Sequence, residues 1–309
     1  METIETVEAL VMAPASPRPL VSVALATFNG ERHLAKQLDS LAAQTRLPDE
    51  LVVGDDASSD STLAVLHDFA RRAPFPVEIT SNPVTLGYSR NFIATAGRCR
   101  GELLFFCDQD DIWLPGKIAR MAEIAAASPE GVITHDMSVF SSDESGPSFP
   151  SFFDHLRGTG FSRAVCLNGC AMAVKADFIR RWGWPEDDSG VSHDVWIALF
   201  ASAFRQRRYC DEILLSHRLH GANASGWIPA ESDRIGSRDW TPQRRALQSD
   251  TDLMIELLLK PWNLSWTDEI LRAVEERRSG LDPTLLAALI GSLGANRRSH
   301  LRRRRWWRF

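Results

Sequence analysis

Residues 101–117 read GELLFFCDQDDIWLPGK, and the order of features in that stretch decides the fold. The apolar run from Leu103 to Cys107 is the length of a buried strand. It passes directly into Asp108-Gln109-Asp110-Asp111, and Pro115 suits the first turn of a helix continuing to Ala127. The same unit recurs upstream. Residues 20–27 (LVSVALAT) predict a strand, Asn29-Gly30 a turn, and Leu34, Leu38 and Leu41 mark one face of a helix. Residues 50–54 (ELVVG) predict a second strand ending in Asp55-Asp56, followed by a helix over 59–72 carrying Leu63, Leu66 and Phe69. A short strand at 77–80, a helix at 89–98 and a strand at 131–135 complete the series. Alternating strands and helices joined by short turns predict an α/β fold, with a mostly parallel central sheet and helices on both faces. Such sheets bind ligands beyond the carboxyl ends of their strands. Thr27-Phe28-Asn29, Asp55-Asp56 and the acidic run at 108–111 each follow a strand, so the pattern predicts that they meet on one rim.

Beyond Ser141 the alternation gives way. Residues 141–160 are loop-rich and 164–174 strand-like around Asn168-Gly169. Residues 175–182 and 193–204 are helical in pattern, and 213–220 strand-like. A loop over 221–241 and three helical segments near 242–260, 266–279 and 283–294 follow, with no internal repeat. The chain thus divides into a flexible tail (1–18), two halves of one domain (19–140 and 141–240), a helical extension (241–295) and a basic Arg/Trp tail (296–309).

Composition narrows the partners. At 44% hydrophobic and 24% charged over 309 residues, the chain can bury a full core, which excludes disorder, collagen-like repeats and coiled coil. No apolar stretch approaches the ~18 residues of a membrane-spanning helix. A net charge of −5 supplies no basic field for nucleic acid. Cys99, Cys107, Cys166, Cys170 and Cys210 form no CxxC pair and read as reduced thiols of a cytoplasmic protein. The acidic start lacks the form of a signal peptide. The last thirteen residues hold seven arginines and two tryptophans without an acid. They read equally as a solvated tail or as a peripheral contact with an anionic membrane face.

Four clusters carry candidate chemistry. Three carboxylates in four positions, Asp108, Asp110 and Asp111, repel one another at a strand end. A hard divalent cation such as Mg²⁺ or Mn²⁺ relieves that conflict, and a helix cap is the competing reading. Asp55 or Asp56 either caps the following helix or accepts hydrogen bonds from a base or ribose. His193-Asp194, near the start of an aromatic helix, is a helix cap or a general base. His217 and His220 are three apart, on opposite faces of a strand, so they do not ligate one metal together, and His220 beside Gly221 is the better candidate.

The ordered set ATFNG (26–30), Gln44-Thr45, VVGDDASSD (52–60), NPVTLGYSRNF (82–92), DQDDIW (108–113), HDVW (193–196) and LHGANASG (219–226) resembles the family 2 glycosyltransferases of the GT-A (Rossmann-like) fold. The resemblance covers about residues 20–226, and DQDDIW in that order is its most specific part. The DQDDIW and HGxNxS forms look most like bacterial rhamnosyltransferases of cell-surface polysaccharide synthesis. The resemblance implies a nucleotide-sugar-binding half at 19–140 and an acceptor and catalytic-base half at 141–240. It implies that Asp56 hydrogen-bonds the pyrimidine, with Ala26, Thr27 and Asn29 lining the same pocket. Asp110 would ligate a Mn²⁺ or Mg²⁺ bridging the diphosphate, Asp108 would reach the ribose or a metal-bound water, and His220 would be another metal ligand. Asp111 and Trp113 would support the donor sugar, and Asp194 would be the base of an inverting displacement. The implied partners are a nucleotide-diphosphate sugar (dTDP-rhamnose or a UDP-sugar) and a glycan or polyprenyl-linked acceptor, at the inner face of the membrane if the basic tail binds lipid.

Two features depart from the pattern: His-Asp stands where many relatives have Glu-Asp, and nothing after Gly226 is matched. Trp182 and Trp184 read equally as sugar-stacking or core residues. The rival readings are a haloacid-dehalogenase-like phosphatase, from FFCDQDDI and Asp187-Asp188, and a non-catalytic nucleotide-sugar or glycan-binding module.

Overall fold

The computed structural model describes residues 18–142, 146–159, 163–185, 192–203, 206–221 and 223. The N-terminal tail, Asp187-Asp188, the helical segments expected over 242–294 and the Arg/Trp tail lie outside the described residues.

The first half follows the sequence pattern except for the two-residue strand β5. It runs β1 (Val21–Thr27), α1 (Glu31–Ala42), β2 (Glu50–Asp55), α2 (Thr62–Arg72), β3 (Val77–Ser81), α3 (Tyr88–Ala96) and β4 (Leu103–Cys107). It continues with β5 (Ile112–Trp113), α4 (Lys117–Ala127) and β6 (Val132–Ser141). Then come α5 (Phe152–Thr159), β7 (Met172–Lys175), α6 (Ala176–Trp182), α7 (His193–Ala203) and β8 (Arg207–Leu219). The sheet has eight strands in the order β3-β2-β1-β4-β7-β6-β8-β5. β1 pairs in parallel with β2 and β4, β2 with β3, and β6 with β8. β7 runs antiparallel between β4 and β6, and β5 antiparallel on β8. Every residue of β2 and β4 is buried. Successive side chains point to opposite faces, so both faces of the sheet are covered there. Among the described residues no helix is long and apolar enough to cross a membrane.

The second half departs from the pattern in three places. Residues 164–174 are not one strand. Two short 3-10 turns, Arg163–Val165 and Gly169–Ala171, precede β7. α5 lies inside the stretch read as loop. Buried Asp136 of β6 starts it, taking the Phe153 amide at 2.9 Å and the Ser151 hydroxyl at 2.6 Å, while Phe152, Phe153 and Leu156 pack inward. The long partner β8 extends β6 to Ser141, with register shifts around Asp136. All five cysteines are free thiols, four of them buried.

Candidate active site

The tips of β1, β2 and β4 meet as one rim, fixed by side chains of the turns themselves. Gln109 grips Phe28 from both sides: its Oε1 accepts the Phe28 amide at 2.9 Å and its Nε2 donates to the Phe28 carbonyl at 3.0 Å. Gly30 leaves room for this grip, since a β-carbon there would lie 2.1 Å from Gln109 Oε1 and the glutamine side chain would have to shift. Fully buried Asp55 gathers three loops. It accepts the Thr27 hydroxyl (3.0 Å), the Ser58 hydroxyl and amide (2.5 and 3.1 Å) and the Ser81 hydroxyl (3.1 Å). Gln44 seats the chain after the acidic run, donating to the Leu114 carbonyl at 2.8 Å and accepting the Ile118 amide at 3.1 Å.

Beyond this rim opens a cleft of about 390 Å³. Ala26, Thr27, Asp56, Asp108, Asp110 and Asp194 line it together. Three expected site residues do not line it: Asn29, Asp111 and His220. Asn29, at φ 47°, turns away to take the Ser59 amide at 2.9 Å, so it joins the first two turns. His220 reaches the site indirectly, its Nε2 lying 2.7 Å from Asp110 Oδ2. Asp111 is fully buried and faces His217 instead, 2.8 Å from its Nδ1, while also accepting the Arg218 amide at 3.0 Å. Trp182 is buried against Phe178 and Phe200 and Trp184 packs on Phe106; neither lines the cleft, so the core reading holds for both.

The charges in the cleft are in conflict. Burial, then Asp111 and Asp110, push the Asp108 carboxyl up to about 8. Burial and Asp111 also raise Asp110, against the opposing pull of His220. Asp108 makes no side-chain hydrogen bond among the described residues. Two crowded carboxylates with an imidazole beside one of them form a donor set that Mn²⁺ or Mg²⁺ accepts. The residues therefore fit a divalent cation held by Asp108, Asp110 and His220.

Asp56 is buried as well, but it is already engaged. Its Oδ1 accepts the Leu86 amide at 2.7 Å and the Asn82 side-chain amide at 2.9 Å; its Oδ2 accepts the Gly87 amide at 2.9 Å. It thereby ties the loop over residues 82–87 to the cleft. Asp194 stands in the first turn of α7, with Oδ1 accepting the Ser192 hydroxyl and, at 2.8 Å, the Val195 amide. Its neighbour His193 is buried within aromatic contacts to Phe92 (4.6 Å) and Phe106 (4.9 Å), and neither ring nitrogen has a hydrogen-bond partner among the described residues. Burial lowers its pKa and keeps the ring neutral.

Residues 22–179, half of the chain, match the family model described as Glycosyl transferase family 2. The chain belongs to glycosyl transferase family 2. An uncharacterized glycosyltransferase of Nostoc sp. is 27% identical over 217 residues, 66% of either chain. The dTDP-rhamnosyl transferase RfbG of Shigella flexneri is 32% identical over 98 residues, 30% of this chain and 34% of RfbG. The chain thus spans two thirds or less of the length of these curated relatives. Among solved structures, S. aureus TarS 1-349 in complex with UDP-GlcNAc superposes with TM-score 0.56 at 16% identity, covering 89% of this chain and 87% of that one. The mannosyltransferase PcManGT from Pyrobaculum calidifontis, in complex with GDP-Man and Mn²⁺, superposes with TM-score 0.54 at 16% identity, covering 89% and 69%. The fold is GT-A.

Family 2 membership removes the phosphatase reading, and the topology agrees: Asp108 follows β4, the fourth strand in chain order. Several residues of this family 2 cleft escaped the sequence reading, namely Tyr88, Phe92, Cys170 and the pair Asn168-Gly169. A signal existed for Gly169. A glycine inside a strand-like segment marks close backbone approach, and a β-carbon there would lie 3.2 Å from both Asp194 Cβ and His193 Nε2.

Proposed function

We propose that this chain is an inverting, metal-dependent glycosyltransferase. It moves a sugar from dTDP-rhamnose or a UDP-sugar to a glycan or polyprenyl-linked acceptor in cell-surface polysaccharide synthesis. The observation that carries this reading is the single cleft lined by Asp56, Asp108, Asp110 and Asp194.

In this reading Asp56 and the rim residues Ala26 and Thr27 hold the nucleotide, while Asp108, Asp110 and His220 hold the cation. A cation held there would offset negative charge on the leaving nucleotide diphosphate. Asp194 uses Oδ1 on Ser192 and Val195, which leaves Oδ2 to take the proton of the acceptor hydroxyl. As the acceptor oxygen bonds to the anomeric carbon, the bond to the diphosphate breaks and its electron pair leaves with the phosphate. One displacement inverts the centre. Names of similar proteins support a nucleotide-sugar donor: RfbG is a dTDP-rhamnosyl transferase, and the TarS and PcManGT structures hold UDP-GlcNAc and GDP-Man. Residues 296–309 would hold the enzyme at the inner membrane face.

A donor screen with dTDP-rhamnose and several UDP-sugars, reading released nucleoside diphosphate with and without Mn²⁺, tests the reading. Release from at least one donor is expected, and release from none overturns it. For the tail, flotation with anionic liposomes should recover the full chain but not a chain lacking 296–309; equal recovery refutes anchoring.

A further inference from the structure

Asp111 differs from the other carboxylates of the DQDD run in facing inward, and strand register explains why. β5 pairs antiparallel with β8, Ile112 opposite Ser216 and Trp113 opposite Leu215. The residue before β5 therefore lies beside the residue after Ser216, and Asp111 Oδ1 meets His217 Nδ1 at 2.8 Å. A carboxylate behind one ring nitrogen fixes the orientation of an imidazole and leaves the opposite edge to meet a ligand. His217 lines the cleft alongside Asp108 and Asp110, and its Nε2 makes no hydrogen bond among the described residues. Anchoring Asp111 requires only Nδ1, so the fold itself has no use for the second nitrogen.

We propose that His217 binds the diphosphate of the donor, its Nε2–H donating to a phosphate oxygen, with Asp111 as the positioning residue behind it. This rests on the reading of the cleft as a nucleotide-diphosphate site. The charge of the ring agrees with an anionic ligand. Burial disfavours the imidazolium, but Asp111, with Asp108 and Asp110 adding to it, outweighs burial and raises the pKa to about 9. At neutral pH both nitrogens are then donors. Asp111, Cys170 and His217 place possible metal-binding atoms within 4.8 Å of one another. A metal there would need a neutral imidazole. It would also face Lys117, whose fully buried ammonium donates to the Cys170 carbonyl at 2.6 Å. The pocket behind the cleft is thus already supplied with cations, and His217 adds positive charge to the wall on which the diphosphate would lie.

Titration calorimetry of the full-length wild type and the His217→Asn variant with dTDP, UDP, thymidine and uridine, in EDTA and again in Mn²⁺, tests this. The asparagine amide stands where Nδ1 stands, so it keeps the bond to Asp111 and removes the Nε2 edge. The variant should bind the diphosphates about tenfold more weakly or worse, as for a lost charge-assisted hydrogen bond. Nucleoside affinity should be unchanged, and His217→Gln, which restores an amide near the Nε2 position, should recover part of the loss. Should the variants not fold, the side-chain ¹⁵N resonance of His217 in the wild type provides the test: dTDP or UDP should shift Nε2 and nucleosides should not. Unchanged diphosphate affinity in His217→Asn, or an unmoved Nε2 resonance in diphosphate-bound wild type, overturns the inference alone. A wild type that binds no nucleoside diphosphate overturns the reading of the cleft together with it.

Discussion

Asp55 and Asp56 are neighbours at one strand tip, yet they do different work. Asp55 accepts from Thr27, Ser58 and Ser81 and closes the rim. Asp56 lines the cleft and holds the loop at 82–87 through the Leu86 and Gly87 amides. An amide at position 55 would turn an NH₂ toward donors in a dry site. Asp55→Asn should therefore cost about 1–3 kcal/mol of stability in chemical denaturation. Asp56→Asn should weaken nucleotide binding by more than its effect on melting accounts for, measured by calorimetry beside the melt. The Asp111–His217 pair predicts a pH dependence. The folded-state pKa of His217 is raised from 6.5 to about 9, so its contribution is complete below 6.5 and is lost as pH rises through about 9. Despite burial, the pairing with His217 lowers the Asp111 pKa, so that carboxylate's share is present above its ordinary value and lost only as pH falls through the depressed one. The stability difference between wild type and His217→Asn should be widest between about pH 4 and 6.5 and shrink toward pH 9. Denaturant midpoints across that range measure it.

At the scale of elements, the place of the proposed base Asp194 depends on where α7 begins. Gly169 lets the turn before β7 pass close to His193 and Asp194, with 3.2 Å from its absent β-carbon to each. Gly169→Ala should displace the start of α7, lowering kcat about tenfold or more while nucleotide affinity stays near wild type. A steady-state assay beside nucleotide titration would show it, and equal losses in both would point to general disruption. The legibility of the molecule divides at the same place. β1, β2 and β4 could be read from short apolar runs that end in polar turns, and with them the meeting of Asp56, Asp108 and Asp110. Their strands are nearest neighbours in the parallel part of the sheet, where local pattern and topology agree. β5 could not be read. Its two residues exist as a strand only because β8, about a hundred positions later, lies beside them. The pairing of Asp111 with His217 was hidden for the same reason, and so was α5, which depends on distant Asp136. Asn29 had the right residue type for a pocket wall, but its side chain was claimed by Ser59, whose position only the folded turn reveals.

Across the whole molecule, the sheet order β3-β2-β1-β4-β7-β6-β8-β5 sets β1, β2 and β4, whose tips carry Thr27, Asp56 and Asp108, against the strands that bring in α7, His217 and His220. The two halves of the chain share one cleft, which is the basis for reading both a leaving-group site and a base in it. Crowding of Asp108, Asp110 and Asp111 predicts that exhaustive chelation abolishes transfer and that Mn²⁺ or Mg²⁺ restores it; full activity in the chelator would remove the metal from the mechanism. The most direct test of the central claim uses Asp194→Asn. Nucleoside diphosphate affinity and sugar-nucleotide turnover are measured on one preparation. The single-cleft account predicts affinity within about twofold of wild type and turnover reduced at least about a hundredfold, as for loss of a general base. Turnover near wild type, or turnover and affinity lost together, would contradict it.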